Sequence, residues 1–376
     1  MKSFGLLLVT GNQTHQENYA RAFAADPRCR LVGLTDEATE PRRTELNREL
    51  AEELKIPFLE NFSAAVRQDD VDFVSICSEP ERRLKLTLEC IEAGKHLYLD
   101  KDPAPTVDAA RQIAEAASEK RLLSQSFSLI RVPAAAQAKA ALESGELGDL
   151  HGIHCDITFA KGQSGTATLG PREEKPNPTR FSFFDSKREF LCVGWYALAF
   201  FSWLTGKKAK SVDATTSNYF FSEHQKNDVE DFSCAMIGLE GGIEATITAG
   251  RCGWQSHPTH GIHDIRLIGS KASLTLDAYA PRLVAFSDGD PWTPPAEPHP
   301  EDPMGFWSST TKASGAAPKT DWQPLQAAAQ SDAVCFLDCL ESNTPSDLDA
   351  GRAAHCVEVI HAVYESASTQ QTVRLD

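Results

Sequence analysis

The first third of the chain alternates short apolar segments with amphipathic segments, and this alternation restricts the fold more than any other feature. Four apolar segments have the length of buried strands: Leu6–Val9, Arg30–Asp36, Val71–Ser78 and His96–Leu99. The segments between them carry apolar residues at helical spacing, as in Leu46, Leu50 and Leu54. Because alternating strands and helices form right-handed βαβ units, the pattern predicts an α/β domain with a doubly wound parallel sheet.

The pattern changes after about residue 150, where strand-like segments follow one another without helices between them. Their boundaries are glycine-containing turns, and the segments are Val229–Leu239, Gly242–Ala249, Ile262–Ile268 and Ala272–Leu276. Such an order is typical of an open, mainly antiparallel sheet in an α+β domain. We therefore expect two domains, a doubly wound α/β domain over residues 1–124 and an α+β domain over residues 125–376.

Charge and composition exclude several classes of function. The chain of 376 residues has 37 Lys and Arg against 53 Asp and Glu, a net charge of −16. A protein that binds nucleic acid or an anionic membrane needs a basic face, so we expect neither as a partner. The ten cysteines form no C-x-x-C pair, which favours free thiols over a disulfide or metal site. We expect a cytoplasmic protein without a bound metal.

The turn after the first strand reads Gly11-Asn12-Gln13-Thr14-His15-Gln16. Compared with G-x-G-x-x-G, which binds a pyrophosphate, it keeps only the first glycine. Thr14 to Glu17 fits a capping box, which would begin a helix where an anion binds. From this turn alone, a phosphate site and an ordinary turn without a ligand both stay open.

Asp36 ends the second predicted strand, 25 residues after Gly11. A carboxylate near this spacing bonds the adenosine ribose in dinucleotide-binding domains and repels a 2′-phosphate, which favours NAD. Arg42 and Arg43 follow closely and leave NADP open. The alternative for Asp36 is a turn residue at a strand end.

The segment VDFVSICSEPERRLKLTLECIEAGKHLYLDKDPAPT, Val71–Thr106, resembles the third and fourth βα units of the Gfo/Idh/MocA oxidoreductase family (glucose–fructose oxidoreductase, inositol dehydrogenase, rhizopine catabolism). The family's Glu-Lys-Pro motif corresponds to Asp100-Lys101-Asp102, with Pro103 one place later. Its D-x-G-x-H motif corresponds to Cys192–Tyr196, and ALESGELGDLHGIH resembles the interdomain helix and first sheet strand.

This resemblance implies an NAD(P)-dependent dehydrogenase or reductase that acts on the CH–OH group of a neutral, sugar-like or cyclitol-like small molecule. It also implies a homo-oligomer, a dimer or tetramer, assembled through the C-terminal sheet. The implied substrate residues are Lys101, Cys192 and Tyr196. The resemblance further implies that residues 1–124 form a dinucleotide-binding Rossmann domain. Its implied cofactor residues are Gly11, Asn12, Gln13, Thr14, Asp36, Ser78, Glu79, Asp100 and Lys101.

Lys101 and Tyr196 are the expected catalytic residues. An ammonium at the carboxyl end of a strand can stabilise a developing alkoxide, although an exposed loop lysine is the alternative. Tyr196 takes the place of the family's usual histidine, as in a subset of the family. A phenol near an ammonium has its pKa lowered, so Tyr196 can accept a proton; a core aromatic is the alternative.

Four positions depart from the family pattern, and they keep two other functions open. Gln13 and Gln16 replace glycines, while Cys192 and Ala199 replace carboxylates. The chain could therefore be a non-catalytic ligand-binding or regulatory protein on the same scaffold, or an enzyme similar to the family's NAD-dependent glycosidases.

Overall fold

The computed structural model describes residues 3–10, 15–128, 130, 131, 133–159, 165–168, 170, 172–183, 185–251, 261–277, 283–287 and 331–376. The described residues divide into two compact units. The first unit comprises residues up to 127 together with 331–354, and the second comprises residues 128–287 together with 355–376. The units therefore differ from a single division of the chain between residues 124 and 125. No described helix is long and apolar enough to cross a membrane.

The first unit contains the predicted doubly wound sheet, and its six strands are all parallel in the order β3-β2-β1-β4-β5-β6. The strands are β1 (Phe4–Thr10), β2 (Cys29–Thr35), β3 (Phe58–Leu59), β4 (Phe73–Cys77), β5 (His96–Leu99) and β6 (Ser124–Ser126). The helices between them are α1 (Gln16–Ala24), α2 (Pro41–Leu54), α3 (Phe62–Ala65), α4 (Pro80–Glu92) and α5 (Val107–Glu119). The strand order reverses between β1 and β4, where ligands bind in such sheets.

A late helix, α9 (Asp332–Ser342), completes the core of the first unit. The Phe336 ring packs edge-on against Phe73, with centroids 5.8 Å apart, and lies at the same distance from Tyr98. The Tyr98 hydroxyl donates a 2.8 Å hydrogen bond to the buried carboxylate of Asp332. These contacts explain why residues 331–354 belong with the parallel sheet although they are distant in sequence.

Gln16 fills the gap between α1 and β4 where a glycine was expected. Its side chain is fully buried, and its amide nitrogen donates to the Ser75 carbonyl at 2.9 Å. The Ser75 hydroxyl in turn donates to the Gln16 amide oxygen at 3.0 Å. The larger residue is thus accommodated because both ends of its amide are paired with β4.

The second unit is built on an open eight-stranded sheet of order β13-β12-β11-β7-β10-β9-β8-β14. Only β7 and β10 pair in parallel among these strands, so the predicted mainly antiparallel sheet is confirmed. The strands are β7 (Leu150–Phe159), β8 (Ala209–Ser217), β9 (Phe232–Leu239), β10 (Ile243–Arg251), β11 (Gly261–Gly269), β12 (Ala272–Asp277), β13 (Leu283–Ser287) and β14 (Val373–Arg374).

The other helical segments are α6 (Pro133–Glu143), a π-helix (Phe190–Gly194), α7 (Trp195–Thr205), α8 (Ser222–Asn227) and α10 (Ala350–Thr369). Helix α7 is buried along nearly its whole length, which fits its almost uniformly apolar sequence WYALAFFSWLT. The first residues of α10 belong to the first unit and the remainder to the second.

The two faces of the second sheet differ in polarity. Along β7, Ile153 and Ile157 are fully buried, whereas His154 is exposed and Asp156 is half-buried. Asp156 lies directly opposite Asp264 of β11 in the antiparallel ladder. Burial, with the added charge of Asp264, raises the pKa of Asp156 to about 6.

Asp156→Asn should stabilise the protein at pH 7.5 and lose this advantage as the pH falls towards 4. The pKa of Asp156 is raised from 3.8 to about 6 by folding, so the folded state is favoured below pH 4 and loses that stabilisation as the pH rises through 6. Thermal unfolding midpoints at several pH values test this, with the exposed Asp213→Asn as control. A pH-independent difference would contradict the assignment.

Gln16→Ala and Ser75→Ala should each lower the free energy of unfolding by about 1–3 kcal/mol, because each leaves a buried polar partner unpaired. The double variant should cost less than the sum of the two, since the second substitution removes the partner that the first left behind. Urea unfolding of the four proteins in the cycle measures the coupling. Additive effects would show that the two side chains do not depend on each other.

Candidate active site

The carboxyl ends of the parallel strands carry most of the predicted cofactor residues. Gly11, Asn12, Gln13 and Thr14, which follow β1, lie outside the described residues. Helix α1 begins at Gln16, and its N-cap is His15, not Thr14 as the capping-box pattern predicted. The His15 side chain forms no capping bond.

Asp36 lies directly after β2 as predicted, but its side chain is fully buried. One carboxylate oxygen accepts a 2.5 Å hydrogen bond from Arg43 of α2, and the other accepts from Arg82 of α4. Arg82 also pairs with Glu37 at 2.9 Å and Glu79 at 2.8 Å. Both oxygens expected to meet a ribose are therefore already bound to guanidinium groups.

Ser78 and Glu79 connect β4 to α4 at the same edge of the sheet. Ser78 is buried, and its carbonyl accepts a 2.8 Å hydrogen bond from the Nε of Arg83. Glu79 is the N-cap of α4 and keeps about a quarter of its side chain exposed. Of these two, Glu79 is thus the side chain that a bound ligand could reach.

Lys101 follows β5 and is 8% exposed, so it is not the exposed loop lysine that the sequence left open. Its ammonium lies 3.3 Å from one carboxylate oxygen of Asp102. The other oxygen of Asp102 accepts from Arg83 at 2.9 Å. Asp102 has φ +47°, a left-handed conformation that a non-glycine residue seldom adopts.

Asp100 is buried among several hydrogen-bond donors. The Tyr19 hydroxyl donates to it at 2.5 Å, Arg83 contacts it at 3.2 Å, and the His15 Nδ1 lies 3.6 Å away. Burial alone would raise the pKa of Asp100. The hydrogen bond and charge of His15, with the charges of Arg83 and Lys101, outweigh burial and hold this pKa well below its usual value.

Sequence reasoning missed Arg83, although a signal was present. Arg82 and Arg83 occupy the beginning of α4, where the helix dipole disfavours cations. A local rule broken in this way often marks a structural or functional demand. Here the demand is the group of buried carboxylates after β2 and β5.

Cys192 and Tyr196 lie in the second unit, at the point where the π-helix continues into α7. Cys192 is 5% and Tyr196 3% exposed. A π-helix is rare and often occurs at functional sites. The structure describes Lys101 in the first unit and Tyr196 in the second, and their juxtaposition stays a prediction.

Buried charges hold the start of the π-helix. One oxygen of Glu230 accepts the Phe190 backbone N–H at 3.1 Å and the Tyr364 hydroxyl at 2.9 Å. The Tyr364 oxygen accepts the Leu191 backbone N–H at 3.1 Å. Arg188 pairs with the other oxygen of Glu230 at 3.1 Å.

A second group of buried charged side chains surrounds Glu189, the residue directly before the π-helix. Glu189 pairs with Arg251 at 3.0 Å and with His224 at 3.3 Å. Burial alone would raise the pKa of Glu189, but the charge of Arg251 and the hydrogen bond from His224 lower it instead. The sequence signal for this group was the charged pair Arg188-Glu189 directly before an apolar segment.

Among the described residues, no group of three His, Cys, Asp or Glu side chains could hold a metal ion. The described cysteines are free thiols, and most are buried. The histidine-rich stretch from His257 to His263 lies mainly outside the described residues.

The groups at the sheet edge fit a dinucleotide. Helix α1 begins at Gln16, shortly after the segment that follows β1 in the chain, and the N-terminus of a helix is a favourable place for an anion. The Thr10 hydroxyl at the end of β1 is buried and has no hydrogen-bond partner among the described residues. The side chains of Glu79 and Arg82, which contact each other, are each about a fifth exposed at the end where Asp36 lies.

Comparison with known proteins adds evidence of ancestry. The chain is 25% identical over 268 residues, 69% of both chains, to dTDP-3,4-didehydro-2,6-dideoxy-α-D-glucose 3-reductase of Streptomyces violaceoruber. Its fold is similar to an oxidoreductase domain protein from Kribbella flavida (TM-score 0.73, 18% identity, 100% of both chains). An aldose–aldose oxidoreductase from Caulobacter crescentus, complexed with glycerol, is also similar (TM-score 0.71, 17% identity, 100% of both chains).

Two family models match successive parts of the chain. The model of the oxidoreductase family with an NAD-binding Rossmann fold matches residues 7–127, and that of the GFO/IDH/MocA C-terminal domain matches residues 135–275. Together they span more than two thirds of the sequence and fall on the two sheets described above. The chain therefore belongs to the Gfo/Idh/MocA family of NAD-dependent oxidoreductases.

Proposed function

We propose that the protein is an NAD-dependent dehydrogenase or reductase that interconverts a secondary alcohol and a ketone on a neutral, carbohydrate-like or cyclitol-like molecule. The observation that carries this proposal is the position of Lys101, which is almost buried at the carboxyl end of β5. Its ammonium pairs with the Asp102 carboxylate, which also pairs with Arg83. The structural neighbour named as an aldose–aldose oxidoreductase supports a neutral sugar as substrate. The relative named as reducing a dTDP-sugar supports only the carbohydrate class, because the diphosphate of its substrate is anionic.

A bound nicotinamide supplies the hydride acceptor in the oxidative direction and the donor in reverse. The segment of Gly11, Asn12, Gln13 and Thr14 would bind the pyrophosphate together with the N-terminus of α1. Ser78 and Glu79 would line the path of the cofactor along the sheet edge. Asp36 would act at the adenosine end by holding Arg43 and Arg82, since both of its oxygens are occupied.

NAD is favoured over NADP at that end for an electrostatic reason. Arg82 faces the carboxylates of Asp36, Glu37 and Glu79, so its charge is already compensated. A 2′-phosphate would meet this acidic group rather than a free cation. NADP should therefore bind more weakly, although Arg42 and Arg43 lie nearby in the sequence.

Lys101 would act on the reacting oxygen. Its ammonium can exchange the Asp102 carboxylate for the substrate oxygen, donate a hydrogen bond, and stabilise the alkoxide as the C–H bond weakens. Asp100, held ionised in the same loop, adds a second negative charge that interacts with this ammonium.

Tyr196 would accept the hydroxyl proton in oxidation and return it in reduction. Cys192 would lie beside it against the substrate, where its thiol offers an apolar surface in place of the family's carboxylate. Because a thiol in place of the carboxylate removes a hydrogen-bond acceptor from the site, we expect a substrate that donates one hydrogen bond fewer there than a simple polyol.

We further propose a cytoplasmic homo-oligomer, a dimer or tetramer, assembled through the C-terminal sheet. The buried free thiols suit a reducing compartment. The net charge of −16 suits a neutral substrate better than a polyanion or a nucleic acid.

Lys101→Met should abolish turnover while NADH still binds. Loss of a hydrogen-bond donor to the developing oxyanion lowers kcat by about 10²–10³-fold. NADH and NADPH are first titrated by nicotinamide fluorescence, and turnover is then sought with a panel of sugars, cyclitols and keto-sugars. Lys120→Met, at a half-exposed surface lysine, is the matched control. Unchanged turnover in Lys101→Met would refute the role given to Lys101.

The same titration separates the competing functions. If neither NADH nor NADPH binds, both the dehydrogenase and a glycosidase-like redox mechanism fail. A non-catalytic ligand-binding protein on the same scaffold is then the remaining function.

Tyr196→Phe should lower kcat by about 10²–10⁴-fold and leave KM nearly unchanged, because the ring still packs while the proton carrier is lost. The pH profile of kcat should also lose the limb that reports the phenol. Tyr219→Phe, at an exposed tyrosine of the same unit, is the control. A rise in KM with unchanged kcat would instead assign Tyr196 to substrate packing.

A further inference from the structure

We propose that Arg83 is a positioning residue that holds the Asp100–Asp102 loop and neutralises its carboxylates, so that the Lys101 ammonium can leave Asp102 for the substrate. The inference rests on the proposed function of Lys101. It adds a residue that no sequence motif indicated, and it explains how a lysine flanked by two aspartates can serve as an active-site cation.

The guanidinium of Arg83 bonds to five acceptors on both sides of Lys101. Its Nη1 donates to the backbone carbonyls of Lys101 and Asp102 and, at 2.9 Å, to the Asp102 carboxylate. Its Nη2 donates to Asp100 at 3.2 Å, and its Nε donates to the Ser78 carbonyl at 2.8 Å. Arg83 itself is 4% exposed. One side chain thus ties the loop after β5 to the loop after β4.

The bonds to two successive carbonyls fix the backbone at Lys101. Asp102 adopts φ +47°, a left-handed conformation that is unfavourable for an L-residue. A conformation of this kind persists only where the surroundings hold it, and Arg83 bonds the carbonyls of the two peptide groups that flank the Asp102 Cα. The direction in which the Lys101 side chain leaves the backbone therefore depends on Arg83.

The two oxygens of the Asp102 carboxylate are divided between two cations. Oδ1 lies 3.3 Å from the Lys101 ammonium, and Oδ2 accepts from Arg83. Asp102 is fully buried, and a buried carboxylate without a cation is strongly disfavoured. Because Arg83 stays in place, the ammonium can move to a substrate oxygen without leaving Asp102 uncompensated.

Only an arginine can make this set of contacts. A guanidinium presents five N–H donors in a rigid planar fork, whereas a lysine presents one compact ammonium on a flexible chain. Arg83→Lys would restore the charge but not the simultaneous contacts with two carbonyls and two carboxylates. The charge and the geometry can therefore be tested separately.

The experiment compares Arg83→Met and Arg83→Lys with the control Arg67→Met, which removes an exposed arginine paired with Glu89. Folding is checked by circular dichroism, and NADH binding is measured separately by fluorescence titration of the full chain. Mass spectrometry then measures acetylation of Lys101 by acetic anhydride at fixed pH, relative to Lys120 in the same sample. Acetylation needs no substrate, so it tests Arg83 even if the proposed reaction is wrong.

In Arg83→Met, the ammonium faces two carboxylates that have lost their other cation, so Lys101 acetylation should fall about tenfold. Where a substrate is found, the kcat of Arg83→Met should fall about 100-fold while KM changes little. Guanidinium below its denaturing concentration should restore part of the lost kcat, whereas urea should not. Arg83→Lys should lie between the wild type and Arg83→Met. Arg67→Met should match the wild type in every measurement.

Unchanged Lys101 acetylation and unchanged kcat in folded Arg83→Met would overturn the proposal. Loss of NADH binding with unchanged acetylation would also overturn it, since Arg83 would then serve the cofactor. If Arg83→Met does not fold, the double variant Arg83→Met/Asp102→Asn removes the buried carboxylate charge that Arg83 no longer compensates. The double variant should fold, and its Lys101 should be acetylated at or above the wild-type rate. Failure of the double variant to do so would contradict the charge-sharing role.

Reduced Lys101 acetylation without turnover on any panel substrate would support the positioning role and count against the dehydrogenase. Reduced acetylation together with reduced kcat would support both. The failure of one proposal is therefore distinguishable from the failure of the other.

Discussion

Ion pairing between buried carboxylates and arginines organises the carboxyl edge of the parallel sheet. Asp36, Asp100 and Asp102 have almost no exposed surface, and each would be strongly disfavoured there without a cation. Arg43 and Arg82 compensate Asp36, while Arg83 compensates Asp100 and Asp102. The loops that follow β2, β4 and β5 are held together by these pairs, and Lys101 receives its position from the same network.

The second unit repeats this arrangement around its π-helix. Glu174, Glu189 and Glu230 are buried and pair with Arg172, Arg188 and Arg251. Glu230 accepts the backbone N–H of Phe190, two residues before Cys192. The site candidates of both units therefore depend on buried charges as well as on apolar packing. Removing one partner of such a pair costs more than the pair contributes, because the remaining charge stays buried.

The regular elements of the first unit follow from local patterns. Aliphatic β1 and β4 and the amphipathic α2, α4 and α5 could be read from spacing, since each pattern reflects burial of one face or of both. The packing of α9 against Phe73 and Tyr98 could not, because it joins segments more than 200 residues apart. The role of Gln16 also could not be predicted from the sequence. The sequence shows only that a glutamine stands where a glycine was expected, and the structure shows that Ser75 forms hydrogen bonds with its amide group.

The sequence by itself determined the fold class, the family and the location of Lys101 after the fourth predicted strand, because periodicity and local motifs depend on neighbours in the chain. Only the tertiary structure decided how the charges pair. Asp36 is bound by arginines from two different helices, and Arg83 reaches a loop 17 to 19 residues further along the chain. Such pairings depend on which loops the sheet brings to one edge, and that arrangement is set by packing between elements distant in sequence.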